Sequence, residues 1–310
     1  MNLIEAMVVA DSDIADSNIA AQDHDTWDVA TPYSAGDRVC AVAPYKVGVV
    51  DLTGAHVFES VIDSNLGADP LAGDASKWLD LGPTNRLRAF DGTIGSKSTN
   101  SEKIEFTVHT DRTCDDLAVF GVSGGSLRVQ VFTSLMVEIF DQTYSLFDPI
   151  EITNQFEFWF GEREFANAFL VSGLPRGPDR YIKVTVDAGT GTAELGALVL
   201  GTRLELGVTQ AGTAADFRDF SELNEDQYGN IAPVGRDKIR LVKFVFSYAT
   251  ENTERALRRA MRNSGRLVVA YQAVGAERFG TLVYGLITDL ELPGEAVWST
   301  GRLDMRGVVE

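Results

Sequence analysis

The chain has 310 residues, of which 45% are hydrophobic and 23% charged, so it can bury ordinary folded cores and is not a disordered polymer. Its net charge is −18, and residues 1–82 carry 14 acidic against 3 basic side chains. An acidic surface repels nucleic acid and anionic membranes, which argues against a DNA-contacting role. No apolar stretch reaches the roughly 18 residues that cross a bilayer, so we expect no membrane insertion.

The two cysteines, Cys40 and Cys114, lie far apart in the sequence. They predict no disulfide framework and fit folding in a reducing compartment. The first residues lack the basic segment and long apolar run of a secretory signal, so we expect synthesis in the cytoplasm without secretion.

Residues 1–25 begin with an apolar run, Leu3 to Ala10, that predicts a strand able to pair with a sheet. The Asp-, Ser- and Asn-rich stretch from Asp11 predicts an acidic loop or arm. Residues 26–82 contain short β runs separated by turns such as Pro32 to Asp37, which predicts a small three-stranded module.

Residues 83–206 alternate between apolar and polar side chains almost throughout, which is the period of half-buried strands. Glycine-rich turns at 121–125 and 173–177 separate the runs, so this region predicts an antiparallel, jelly-roll-like β-sandwich. The apolar positions of three such strands are Ile104, Phe106 and Val108; Leu127, Val129 and Val131; and Phe156, Phe158 and Phe160.

Residues 207–310 predict a C-terminal β-sheet domain with one α-helix at 253–263, so the expected fold class is mainly β. The helix places Ala256, Leu257, Ala260 and Met261 in one apolar stripe that would pack on the sheet. Its other face is basic and either is simply solvated or docks on the acidic part of a neighbouring subunit. The residues of this basic face are Arg255, Arg258, Arg259 and Arg262.

The sequence predicts no catalytic centre, metal site or cofactor. Residues 121–125 match G-x-S-x-G, but that motif needs a strand-to-helix elbow and a later histidine, and no histidine follows His109. The better interpretation is a hairpin turn. Glu162 and Glu164 could imitate a glycosidase carboxylate pair, although two acids at a strand end are more often solvated. The acidic residues of 11–25 lack the order of an EF-hand.

Eight residues of the 26–82 module carry a family resemblance: Trp27, Tyr33, Gly36, Asp37, Val39, Phe58, Pro70 and Trp78. With them the module resembles the small carbohydrate-binding modules of the chitin-binding kind. The match departs at 43–55, which is longer than usual, and at Phe58, where a Tyr is more typical. The resemblance implies that exposed aromatic side chains stack on sugar rings, with Trp27, Tyr33 and Trp78 as candidates. The alternative is that some of them form the module's core, or that the module is a spacer.

A second resemblance is carried by residues 78–86 and 90–93 and extends to 228–230, 240–248 and 279–290. These segments look like parts of phage tail-associated virion proteins. They imply a non-catalytic structural protein, made in the host cytoplasm and located in the virion tail, that contacts other phage tail proteins. By fold-level analogy, residues 207–310 would form a homo-oligomeric ring, hexameric or trimeric. The alternatives are a host-surface glycan-binding protein and a glycan-degrading tail enzyme.

Overall fold

The structure is a computed structural model that describes residues 1–147, 154–160, 166–225, 231–249, 258–259, 261–263, 265–272, 280–293 and 298–309. It is mainly β, as predicted. Its strands are β1 (Asn2–Ala6), β2 (Ile14–Ser17), β3 (Arg38–Val47), β4 (Val50–Ser60), β5 (Trp78–Pro83), β6 (Ser98–Thr110), β7 (Asp116–Phe120), β8 (Ser126–Thr133), β9 (Glu138–Ser145), β10 (Ala168–Ser172), β11 (Arg180–Leu195), β12 (Ala197–Glu205), β13 (Val208–Thr209), β14 (Ala214–Asp219), β15 (Glu222–Glu225), β16 (Ile231–Val234), β17 (Lys238–Ala249), β18 (Val268–Tyr271), β19 (Val283–Glu291) and β20 (Trp298–Val309). The helical elements are α1 (Gln155–Phe160) and three 3-10 turns, Asp11–Asp13, Pro70–Ala72 and Arg88–Phe90.

The largest sheet has ten strands in the order β10-β7-β12-β1-β18-β19-β20-β17-β13, with β14 also paired to β17. It contains strands from both sides of the predicted domain boundary at residue 206. Hydrogen bonds therefore cross that boundary through β1, and the division of the chain into separate units stays a prediction.

Strand β1 lies between β12 and β18 and is antiparallel to both. Successive side chains of a strand point to opposite faces of the sheet. Leu3 accordingly packs into one core and Ile4 into the core on the other face, and both are fully buried. The N-terminal apolar run thus forms a strand inside the largest sheet.

A second sheet, in the order β2-β6-β11-β8-β9, packs on β10, β7 and β12 to form a sandwich. The core between them contains the predicted apolar faces of β6 and β8, including Phe106 and Val129 at 0% exposure. Leu117 and Val119 of β7 face this core, while Ala118 and Phe120 face the opposite one.

The other end of the ten-stranded sheet curls into a half-barrel around a separate core that includes Leu3, Phe244, Phe246 and Leu303. The connection from β12 to β13 crosses at Gly207, where a Cβ would lie 2.1 Å from the carbonyl oxygen of Ser247. Only glycine allows this close approach of two backbones.

The predicted small module is a three-stranded sheet in the order β3-β4-β5. The turn of the β3–β4 hairpin contacts the backbone just before β18 of the largest sheet. A Cβ on Gly48 would lie 3.1 Å from the carbonyl oxygen of Gly265. Cys40 of β3 and Cys114 are both buried and free.

Three local predictions were wrong. Residues 155–160, expected as an alternating strand, form α1. The acidic stretch after Asp11 is not only a loop, because it contains β2, an edge strand paired with β6. Residues 121–125 are not a hairpin turn, since β7 and β8 belong to different sheets. The G-x-S-x-G segment does lead into a strand, as predicted.

The predicted helix at 253–263 is described only in part. Arg258, Arg259, Met261 and Arg262 are helical, while residues 250–257, 260 and 264 lie outside the described residues. Met261, expected in the buried stripe, is 69% exposed, so that assignment was wrong. Within the described part of the chain, no helix is long and apolar enough to cross a membrane.

Replacing Leu3 by Ala should lower the free energy of unfolding by about 2 to 5 kcal/mol, because it opens a cavity between β12 and β18. Denaturant unfolding monitored by circular dichroism measures the change. The matched control is Leu66→Ala, at a side chain that is 61% exposed, where a change within about 0.5 kcal/mol is expected. Equal losses in both variants would contradict the central position of β1.

Candidate functional site

The three predicted sugar-binding aromatics meet in the small module. Trp78 is 4% exposed and its indole N–H donates to the carbonyl oxygen of Ala68 at 3.0 Å. The rings of Tyr33 and Trp78 meet edge to face with centroids 5.3 Å apart. Trp27 and Tyr33 pack on the same core as Phe58 and are half-buried. These side chains therefore hold the module together, whatever else they do.

Only two of the three keep a surface that a ligand could reach. The ring of Trp78 is enclosed, whereas Trp27 and Tyr33 remain partly open. The hydroxyl of Tyr33 accepts from the backbone N–H of Asp28 at 2.8 Å. The indole nitrogen of Trp27 is buried and has no hydrogen-bond partner among the described residues. Sugar binding by this trio stays a prediction.

The predicted basic face is described only in part, since Arg255 lies outside the described residues. Arg258 and Arg262 are exposed, and Arg259 is half-buried. The turn is anchored by Asn263, which is 5% exposed and donates from Nδ2 to Oε1 of Glu5 at 3.0 Å. A role of the arginines in an interface stays a prediction. Arg259 also lines the cleft described next.

A cleft of about 1020 Å³ lies at the open end of the half-barrel. One wall is formed by the ends of β12, β1 and β18, where Asn2 pairs with both Glu205 and Tyr271. The other wall is formed by β13, β17 and β20, where Ala249 pairs with Trp298. The sheet's curl thus brings together residues that are up to about 300 positions apart in the sequence.

Beside this cleft two adjacent carboxylates are buried, Asp115 at 2% and Asp116 at 0% exposure. Asp116 accepts from the hydroxyl of Tyr271 at 2.6 Å and from the backbone N–H of Gly173 at 3.1 Å. Its Oδ2 also lies 3.8 Å from Nε of Arg203. Burial and the nearby Asp116 carboxylate raise the pKa of Tyr271, so its hydroxyl remains a proton donor at neutral pH.

The second carboxylate is paired as well. Oδ1 of Asp115 lies 2.9 Å from Nε of Arg176, and Oδ2 accepts from the backbone N–H of Arg203 at 3.4 Å. Oδ1 of Asp115 nevertheless has no hydrogen bond among the described residues, so the ion pair with Arg176 and the long contact from Arg203 satisfy this buried carboxylate only in part.

Sequence reasoning missed the cleft, because its residues come from eight separate stretches and form no local motif. One signal was present: Asp115 and Asp116 stand directly before the apolar run Leu117 to Phe120. Two acids that enter a fully buried strand need partners in the fold. Among the described residues, no three His, Cys, Asp or Glu side chains are grouped to hold a metal ion.

Replacing Tyr271 by Phe should lower the free energy of unfolding by about 1 to 3 kcal/mol, because Asp116 stays buried and loses a donor. Thermal and denaturant unfolding measure the loss. Tyr144→Phe is the matched control, since it removes a 2.6 Å hydroxyl bond to Gln142 that is exposed. If both variants lose the same small amount, the buried Tyr271–Asp116 bond contributes little.

No protein-family model matches the chain, and no curated protein does. Among solved structures, it is similar to a variant of chitosan-binding module 1 from a chitosanase/glucanase of Paenibacillus sp. IK-5. The two are 12% identical, the match covers 37% of this chain and 83% of that chain, and the TM-score is 0.26. A likeness of this size carries no conclusion about the fold or function of this chain.

Proposed function

We propose that this chain is a non-catalytic structural protein of a bacteriophage tail that assembles with copies of itself and with other tail proteins. Two features support the proposal. One is the resemblance of residues 78–86 and 90–93 to tail-associated virion proteins. The other, which carries the assembly part, is an apolar surface that a lone monomer would leave in water.

That surface lies at the turn between β8 and β9. Leu135 is 84% exposed, Met136 58%, Val137 57% and Ile139 41%. Each square ångström of apolar surface removed from water contributes about 25 cal/mol, so four neighbouring side chains of this kind favour a protein partner. The turn is ordered by backbone bonds, with Met136 N–H donating to the Thr133 carbonyl at 2.9 Å. An ordered apolar tip can dock without a large entropic cost.

The edge strands offer further contact surface. Strand β14 pairs only with β17 among the described strands, and all six of its residues are exposed, with Phe217 at 65%. Unpaired strand edges are templates for association with another chain. A ring of copies, hexameric or trimeric, would use such edges between neighbours, with Arg258, Arg259 and Arg262 as charged contacts.

Two observations support the absence of catalysis. The buried carboxylate of Asp116 accepts from the Tyr271 hydroxyl and the Gly173 amide, and Asp115 forms an ion pair with Arg176. The G-x-S-x-G segment is followed by β8, so it lacks a nucleophile elbow. The pair Glu162 and Glu164, which would carry a glycan-degrading activity, lies outside the described residues.

The double variant Leu135→Ser, Val137→Ser should reduce the molar mass of the assembled species, because it removes the apolar tip from the subunit contact. Size-exclusion chromatography with light scattering across a concentration series measures the mass. The control Leu71→Ser changes a residue that is 50% exposed on the small module and should leave the mass unchanged. A wild-type chain that is monomeric at every concentration would reject self-assembly.

The second candidate function is binding of a host-surface glycan by the small module. The observation that favours it is the buried indole N–H of Trp27, which has no partner among the described residues and packs on the same core as the half-buried ring of Tyr33. Buried donors in native proteins normally have an acceptor. A sugar hydroxyl would supply that acceptor while its ring stacks on the exposed aromatic surface.

Trp27→Ala should weaken binding to N-acetylglucosamine oligomers at least tenfold, about 1.4 kcal/mol, and Trp27→Phe should weaken it less because a stacking face remains. Isothermal titration calorimetry measures both affinities. Trp159→Ala, at a tryptophan that is 69% exposed on α1, is the control. If the wild-type protein binds none of the oligomers at millimolar concentration, this candidate is excluded.

A further inference from the structure

We propose that the half-barrel cleft is a second, separate binding site, which takes an oligosaccharide that carries a carboxylate. The proposal does not depend on tail assembly or on sugar binding by the small module, because it uses none of their residues except Arg259. It stands on the shape of the cleft, on its charge, and on the kinds of side chain that line it.

The charge of the cleft lining favours an anionic ligand. The described lining residues include two arginines, Arg203 and Arg259, against one glutamate, Glu205, in a chain with 45 acidic and 27 basic side chains. Glu205 is a weak competitor for Arg203, since it is 77% exposed and 4.0 Å away. Asp116 offsets the charge of Arg203, so Arg259 carries the preference for an anionic ligand, and guanidinium groups bind carboxylates in a forked geometry.

Two polar atoms of cleft residues lack hydrogen-bond partners. Among the described residues, Nε of Arg203 and Oγ1 of Thr209 are buried without a hydrogen-bond partner, and both residues line the cleft. The side chain of Arg203 is 24% exposed, so its guanidinium remains reachable from the cleft while Asp116 lies 3.8 Å behind it. A bound ligand rich in oxygen atoms would satisfy both groups.

The cleft also contains an exposed aromatic side chain. Trp298 lines the cleft, is 66% exposed, and belongs to none of the four apolar cores. An indole face of this kind stacks on the apolar face of a sugar ring, and its edge can still donate a hydrogen bond. Neutral polar side chains line the same cleft and suit a ligand covered with hydroxyl groups: Asn2, Ser172, Thr209, Gln210, Ser247 and Gln272.

An acidic peptide fits the cleft less well. Peptides that bind at a sheet usually extend it, taking their affinity from a free strand edge. Of the two strands at the ends of the sheet order that line this cleft, β13 is two residues long and β10 contributes only Ser172, so they offer little edge for such pairing. The cleft's side-chain amides and hydroxyls instead resemble the sparse, convergent polar groups of a small-ligand site.

The test uses isothermal titration calorimetry of the full chain with oligomers of galacturonate, mannuronate and glucuronate and with a sialylated oligosaccharide. Each acid is paired with its methyl ester, which removes only the charge. At least one acid should bind, about tenfold more tightly than its ester. Arg259→Gln should abolish this preference, and Trp298→Ala should weaken acid and ester alike. The controls Arg128→Gln and Trp159→Ala match the changes at exposed positions on the sandwich and on α1.

Three results would overturn the proposal. The first is that no acid binds at a ligand concentration of about 10 millimolar. The others are that the esters bind as well as the acids, or that a polyglutamate peptide binds as tightly as the best saccharide. Trp27→Ala separates this site from the small module, because it should leave cleft binding unchanged. Arg203→Gln should also remove the preference for acids, and its unfolding curve shows whether the neighbouring Asp116 has destabilised the fold.

Discussion

The insertion of β1 between β12 and β18 is the constraint on which the other features depend. Without this strand, two ladders of backbone hydrogen bonds are lost and two inner strands of the largest sheet become edges. The strand also joins the sandwich to the half-barrel, because Leu3 packs into the half-barrel core and Ile4 into the core on the opposite face. Asn2 brings Glu205 and Tyr271 to the cleft wall through the same two ladders. Assembly of these parts therefore requires pairing between residues about 200 to 270 positions apart, which is slow to form and cooperative once formed.

The buried carboxylates impose a second constraint on the same region. Desolvating Asp115 and Asp116 is costly, and only a specific arrangement of Tyr271, Arg203, Arg176 and the Gly173 amide offsets that cost. These partners belong to β18, β12 and the segment after β10, so a shifted register in any of them leaves a buried charge unpaired. Apolar side chains tolerate small shifts, whereas a buried ion pair does not. The two carboxylates thus disfavour shifted registers that the hydrophobic pattern alone would tolerate.

Sequence patterns predicted the strands wherever one face was buried and the other solvated, as in β6, β8 and β11. They failed where that contrast disappears. At 155–160, Phe156 and Phe160 are spaced by four as well as by steps of two, so the same residues also fit a helical face, and α1 forms. Strand β2 was missed because edge strands are often polar, and its Asp16 and Ser17 are residue types typical of loops. The cleft could not be predicted, since local patterns carry no information about which distant strands pair.

The two candidate ligand surfaces differ in what the fold requires of their aromatic residues. A module of about 57 residues has too little chain to build a core from aliphatic side chains alone, so Trp78, Phe58 and the half-buried faces of Trp27 and Tyr33 are needed for its stability. A sugar-binding role there must share side chains with folding. Folding does not depend on Trp298 in this way, because about two thirds of its surface is exposed and no apolar core includes it. An aromatic face that the fold does not use, in the same cleft as Arg203 and Arg259, is free to be shaped by a ligand. The family resemblance of the small module therefore points to aromatic residues that the module needs for folding. Trp298, which no apolar core includes, lies in a cleft that no sequence motif indicates.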